Sequence, residues 1–390
     1  MNGKQILKSA LHAGDWFVNT QNKDSESGDL GRFIYALKLE TKEYWLSSGW
    51  QTAFGVFALL SLHNATKDDK YLQAAEGGIK YIKTLQILDQ RKPCYFGAIR
   101  EVSPQSEWMH PRDALSAAWG MLGYHLYTNE QDCLERAILY ADWMLKYALI
   151  DDWVVATVNL GNKKTRSADD LVASCQSGSI LFLIEMYKVT QDLRYYDAAY
   201  RMANYYVVNL ISKDGVITCI KDRIGNNPDV NNTEKWPIDW QKMHQVNDDF
   251  GGIALVEAYR IFKKEEYRQR CSAYLGWLEK TVNKDGSYLD PVIEVGSATA
   301  PIFLLSFESI ANSSEKVRAR KLIEKNISYL LSIQQKSKDK LVDGAFLGMD
   351  GMCRAGHGNW INIRCTSYAT IALCRLLGKS VFPLSMSGLI

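Results

Sequence analysis

Two kinds of helical pattern alternate along this chain. The segment QTAFGVFALLSL (residues 51–62) is apolar nearly all round and rich in small residues, and GSILFLIEMY (178–187) has the same character. A helix without a polar face is covered on both sides. Each such segment is followed, after a short polar turn, by a helix with one apolar stripe, for example Leu72, Ala75, Ile79, Ile82 and Leu85. That second helix is half exposed. The pair recurs over residues 48–86, 111–149, 170–211, 248–282 and 297–334. With Tyr71, Cys133, Tyr195, Tyr267 and Val317 as equivalent points, the spacings are 62, 62, 72 and 50 residues. They are too uneven for a strict solenoid and fit helical hairpins joined by variable loops.

The two ends complete the set. RCTSYATIALCRLLG (364–378) is a helix of the buried type with no partner after it, and ILKSALHAGDWFVNTQ (6–21) is a striped helix with none before it. Paired, they make a sixth hairpin. The predicted fold is all-α, an (α/α)6 barrel with inner and outer rings of helices, closed by the N- and C-terminal helices. One domain then spans residues 1–390. No segment has the alternation of a strand. An open α-solenoid would leave both end helices unpaired and ranks below the closed ring.

Composition narrows the class. Lys+Arg 46 against Asp+Glu 44 gives a net charge of +2, with no run of like charges, so nucleic acid is not the expected partner. No apolar stretch approaches the ~20 residues of a membrane span, and the opening residues lack the pattern of a signal peptide. The expectation is a cytoplasmic protein with no membrane partner. The eight cysteines contain no C-x-x-C pair and read as reduced, buried residues. Cys353, His357 and Cys365 are the one set with a metal-site flavour, short of a fourth ligand. No metal and no cofactor are expected.

The connections are asymmetric. Turns from the first helix of a unit to the second are short (64–68, 128–131, 312–314), whereas those leading to the next unit are long: 21–47, 87–110, 150–169, 212–247 and 335–362. Long loops in a compact domain usually carry function. They share one face, where the inner helices begin and their N–H groups favour an anionic ligand. Trp45, Trp50, Trp108, Trp153, Trp236, Trp240 and Trp360 fall on that face, while Trp16, Trp119, Trp143 and Trp277 belong to helix interiors. Flat aromatic surfaces suit sugar rings, although each tryptophan could equally pin its own loop.

Acids recur where inner helices start: Asp113 after Trp108, His110 and Arg112, Asp170 in SADDLVASCQSG (167–178), and Asp248 and Asp249 after His244. An aspartate there is also a common helix N-cap. In a partly desolvated cavity a carboxyl becomes a general acid or base near neutral pH, and carboxyl pairs serve glycosidic cleavage. Arg112, Arg364 and His357 could hold a substrate carboxylate. His12, His63 and His125 lie away from this face and read as structural.

On TKDDKYLQAA (66–75) and YKVTQDLRYYDAAYRMANYY (187–206), the whole chain resembles the six-hairpin glycosidase superfamily, which includes unsaturated glucuronyl and rhamnogalacturonyl hydrolases. That resemblance implies two catalytic aspartates near the starts of successive inner helices, which Asp113 and Asp170 match at a separation of 57 residues. The His-Asp-x-Gly-Phe-like surroundings of a close member are missing. The segment around Ser47 and Gln51 is also similar to the helical domain of uronate C5-epimerases, and the length matches N-acyl sugar 2-epimerases, in which His244 and His357 would have to serve. Class II terpene cyclases rank last, for want of an Asp-x-Asp-Asp motif.

The expected activity is hydrolysis of a uronic-acid-containing oligosaccharide of the unsaturated type, with Asp113 and Asp170 as the acid/base pair and His244 and Asp248 as a second candidate set. Trp50, Gln51, His110, Arg112, Trp240, Asp249, His357, Trp360 and Arg364 are the candidate binding residues for a small, anionic carbohydrate. A sugar or uronate epimerase, a lyase, and a non-catalytic glycan-binding toroid are the alternatives.

Overall fold

A computed structural model describes residues 2–160, 166–167, 170–218, 220–222, 250–288, 293–348 and 360–390. The described residues contain twelve α-helices. Six are α1 (Gly3–Thr20), α3 (Asp69–Leu85), α5 (Gln131–Trp143), α7 (Leu193–Asn209), α9 (Glu265–Thr281) and α11 (Ser313–Ile333), the outer set. The inner set is α2 (Gly49–Thr66), α4 (Pro111–Thr128), α6 (Ala173–Thr190), α8 (Gly251–Phe262), α10 (Ile293–Phe307) and α12 (Ile363–Leu376). Each inner helix packs on the next, and α12 touches both α10 and α2, so the ring closes. Helix α1 packs on α12 and supplies the sixth hairpin across the termini. No helix among the described residues is long and apolar enough to cross a membrane.

The predicted division of labour is visible in burial. Every residue of α2 from Gly49 to Leu62 is buried except Trp50, which is partly exposed, whereas α3 buries a stripe that includes Tyr71, Ala75, Ile79, Ile82 and Leu85. The tight turns repeat one solution: Lys67, Asn129, Gln191 and Lys263 each end an inner helix in the left-handed conformation, and the next residue is the N-cap of the outer helix. Asp68 and Asp192 then cap α3 and α7 through the N–H groups of Lys70 and Arg194.

Closure also depends on glycine. Gly344, after α11, has φ +92°, and a Cβ there would lie 2.1 Å from the carbonyl oxygen of His12 on α1. Gly31, after α1, makes the same approach to Gly77 on α3 (φ +89°, 2.0 Å). Only glycine permits both the backbone conformation and the contact. Gly97, Gly215 and Gly286 repeat the arrangement against α5, α9 and α11.

Where the sequence pattern shows no strand, the long loops contain short ones. Strand β1 (Ile34–Lys38) pairs with β2 (Tyr44–Leu46) and with β10 (Trp360–Asn362). Strand β3 (Trp108–Met109) joins β6 (Thr157–Asn159) and β7 (Arg166–Ser167), while β4 (Leu149–Ile150) pairs with β5 (Trp153–Val154) and β8 (Asp170–Val172) with β9 (Ile220–Asp222). Strands of two to five residues are too short to display a period of two in sequence.

The lumen is filled and stopped at one end. Phe54, Trp119, Phe250 and Tyr368 line it, and Phe382 of the segment after α12 enters it, with its ring 5.0 Å from Trp119 and 5.1 Å from Phe57. Val381 N–H donates to Ser61 Oγ (3.0 Å) and Ser385 N–H to Glu185 Oε1 (2.8 Å), both near the C-terminal ends of inner helices. The opposite end, where the inner helices begin, carries the loops.

Candidate active site

The site is built at the start of α4. Pro111 occupies the first helical position and His110 the N-cap, so Arg112 and Asp113 fall in the first turn, with their side chains just below the loop face. Asp113 is therefore not the N-cap that its position in sequence also allowed. Tyr140 of α5 donates to Pro111 O (2.8 Å) and fixes this end of the helix.

Two groups hold the Asp113 carboxylate. Arg112 Nη1 lies 2.9 Å from Oδ1, with the two side chains 10% and 15% exposed. The second group is Glu101, from the loop between α3 and α4, which is 6% exposed. Its Oε2 accepts the backbone N–H of His110 (2.9 Å), and its carboxyl group is hydrogen-bonded to that of Asp113. Burial, the charge of Asp113 and this shared hydrogen bond push the Glu101 carboxyl well above the usual range, against the pull of the His110 N–H and of Arg112. The loop is anchored at Glu101 and at the residue after it: Gly49 N–H of α2 donates to the Glu101 carbonyl (3.3 Å), and Tyr81 OH of α3 to Val102 O (2.5 Å).

The cations gather on one indole. The Arg112 guanidinium sits 4.2 Å from the Trp50 ring and 5.4 Å from Phe250, and that of Arg364 is 5.9 Å from Trp50. Asn362 caps α12 by accepting Arg364 N–H (2.6 Å), which sets that side chain at the helix start. Residues from α2, α4 and α12, and Phe250 just before α8, thus converge. His110 is held by its own contacts: Nδ1 lies 3.0 Å from Ala156 O and 3.2 Å from Thr157 Oγ1, and Trp108 meets its ring edge-on at 5.0 Å. Further out, Trp360 on β10 packs on Trp45 with ring centroids 5.3 Å apart, and Trp45 is 50% exposed.

Of the residues proposed from sequence, Asp113, Arg112, Trp50 and Arg364 are brought together, with His110 adjoining. Gln51 lies beside them, but its amide oxygen accepts Ser48 N–H (2.7 Å) as part of a capping box. Asp170 stands on β8, three residues ahead of α6, which is the inner-ring neighbour of α4; the N-cap there is Val172. His244, Asp248, Asp249, Trp240 and His357 lie outside the described residues, as do Trp236 and Cys353. The described residues hold no cluster of three metal-ligating side chains, and Cys365 is buried. His12, His63 and His125 are engaged elsewhere, with Asp343, Tyr127 and the carbonyl of Glu130. Glu101 escaped the sequence reading because it belongs to no repeat unit and reaches Asp113 only through the return of its loop.

The fold defines the class to which this architecture belongs: the (α/α)6 toroid shared by several groups of glycosidases. An unsaturated glucuronyl hydrolase specific for heparin superposes with a TM-score of 0.71 at 12% identity, covering 96% of this chain and 97% of that one. An unsaturated glucuronyl hydrolase from Bacillus sp. GL1, responsible for the degradation of glycosaminoglycan, gives 0.70 at 15% identity over 96% and 97%. A GH76A α-1,6-mannanase from Salegentibacter sp. HEL1_6 gives 0.67 at 13% over 95% and 99%. No protein-family model and no curated protein matches the sequence.

Proposed function

We propose that this protein is a glycoside hydrolase acting on an oligosaccharide that carries a uronic acid, of the unsaturated type, with Asp113 as general acid/base. The observation that carries this reading is the half-buried Asp113 carboxylate, ion-paired to Arg112 beside Trp50 and near the buried Glu101, at the loop-bearing end of a lumen stopped at its other end. In glycosidic cleavage one carboxyl group gives a proton to the departing glycosidic oxygen, and a second takes one from the attacking water. Asp170 is assigned that second role from its place ahead of the neighbouring inner helix.

The rest of the site fits an anionic sugar. Two guanidiniums near one indole offer charge for a carboxylate, and the indole offers an apolar face for the sugar ring. The structural neighbours act on uronate-containing glycans and on mannans, and the cations favour the former for this chain.

The test is incubation with lyase-generated digests of pectin, glycosaminoglycan and alginate. Cleavage releases an unsaturated uronate whose ring opening removes the conjugated double bond, so absorbance falls with turnover. No turnover on any digest removes the proposal. Entry of solvent deuterium into a sugar carbon without cleavage would identify an epimerase in its place.

A further inference from the structure

A second cavity, of about 560 Å³, opens at the other end of the ring, where the inner helices finish. Its wall is made by Lys188 near the end of α6, by Tyr259, Arg260 and Lys263 at the end of α8, and by the turn from α10 to α11 at Ser309. Phe382, packed against Phe54 and Trp119, fills the lumen between the two ends, so a ligand here does not reach Asp113 through the ring.

We propose that this cavity is a second, non-catalytic site for a saccharide that carries an acidic group. Its volume lies within the range of small-molecule sites, roughly 300–1,000 Å³. Its charge is the first argument for the ligand. Glu257 is fully buried behind the wall and holds two cations in place, with Lys188 Nζ 3.3 Å from Oε2 and Arg260 Nη1 2.5 Å from Oε1. Those side chains are 26% and 37% exposed, so their charged heads are within reach of a ligand. One carboxylate against two cations leaves a positive charge over. Lys263, exposed and without an ion pair among the described residues, adds another. The acids beside the turn are already matched, Glu308 by Arg320 and Glu315 by Arg268.

Two further features favour a sugar over a bare anion. The last carbonyls of a helix have no partner within it, and three inner helices end at this face. Their partial negative charge weakens the pull on phosphate or sulfate, but their oxygens accept from hydroxyl groups, which a sugar supplies together with its carboxylate. Aromatic rings also collect at the rim. Tyr259 is part of the wall, and Tyr187 and Phe262, each adjacent in sequence to a wall residue, are joined through Tyr196 with ring centroids 5.1 and 5.0 Å apart. All four are partly exposed and offer apolar faces to a sugar ring.

The experiment is amide hydrogen exchange read by mass spectrometry, which locates binding along the chain and needs no turnover, so its outcome is independent of the assigned reaction. The full-length protein is titrated with a saturated hyaluronan tetrasaccharide, with chitotetraose as the neutral counterpart, and with inorganic phosphate. Peptides covering residues 259–263 and 309–311 are expected to gain saturable protection with the hyaluronan tetrasaccharide and little with the other two. In Lys263→Glu the midpoint should rise at least fivefold, while any protection around residues 108–113 stays as in wild type. If Lys263→Glu fails to fold, Ser309→Glu brings the opposing charge from the other wall, at an exposed position. Absence of protection at 259–263 and 309–311 overturns the proposal, as does an unchanged midpoint in the variant. Equal protection by chitotetraose overturns the acidic ligand, and equal protection by phosphate alone overturns the saccharide.

Discussion

Glu185 is a second buried acid, at the stopped end of the lumen, and replacing it by glutamine gives a stability test that needs no substrate. Trp119 Nε1 donates to Oε2 (2.5 Å) and Ser385 N–H to Oε1 (2.8 Å), yet burial dominates and pushes the carboxyl from 4.5 up to about 7. Because the folded value lies above the unfolded one, the folded state binds the proton more tightly. Stability from this group is full below pH 4.5 and is lost as pH rises to about 7, after which the loss levels off. At about 1.4 kcal/mol per pH unit, the rise from 4.5 to about 7 comes to about 3 kcal/mol. Denaturant unfolding of wild type and Glu185→Gln, followed by tryptophan fluorescence across that range, isolates the term, since every other titrating group is common to both proteins. Wild type should lose about 3 kcal/mol relative to the variant from the acidic to the neutral side. The variant's amide meets an N–H where the carboxylate accepted one, so its absolute stability at acid pH should be the lower of the two. A stability difference that stays constant with pH would refute the reasoning.

Four further substitutions probe the scaffold and the site. Gly344→Ala brings a Cβ to 2.1 Å from His12 O at φ +92° and should cost at least ~2 kcal/mol in denaturant unfolding, whereas Gly378→Ala (φ +66°, open space) should cost about 1 kcal/mol, so equal losses would contradict the glycine-based closure of the ring. Phe382→Ala removes the ring that stops the lumen and should destabilise by about 3–5 kcal/mol, read as a lower melting temperature. Arg112→Lys keeps the charge but loses the planar group over Trp50; about 1 kcal/mol of stability and at least tenfold in kcat/KM for a carboxylated substrate should be lost, and an unchanged kcat/KM removes Arg112 from the binding site.

The ring was legible because an inner helix such as α2 must be apolar all round while α3 needs only a stripe, and that contrast survives even where loop lengths vary. The end helices showed their pairing for the same reason. Less was legible in the site. Asp113 and Arg112 stand out because they open an inner helix beside aromatic residues. Glu101 does not, since its role comes from desolvation and from a contact twelve residues on, and neither leaves a periodic trace. Gln51 shows the converse: a polar residue at the rim drew attention as a ligand although its oxygen closes a capping box. The glycine turns were missed because a positive φ and a close carbonyl depend on the neighbouring outer helix, which is distant in sequence.

The most direct test of the central claim compares wild type with Asp113→Asn on the lyase-generated digest that wild type degrades fastest, scored by loss of double-bond absorbance. The account predicts that wild type turns over and that kcat/KM falls by about 10²–10⁴ in the variant, as expected for loss of a general acid/base. Undiminished turnover by Asp113→Asn would contradict it.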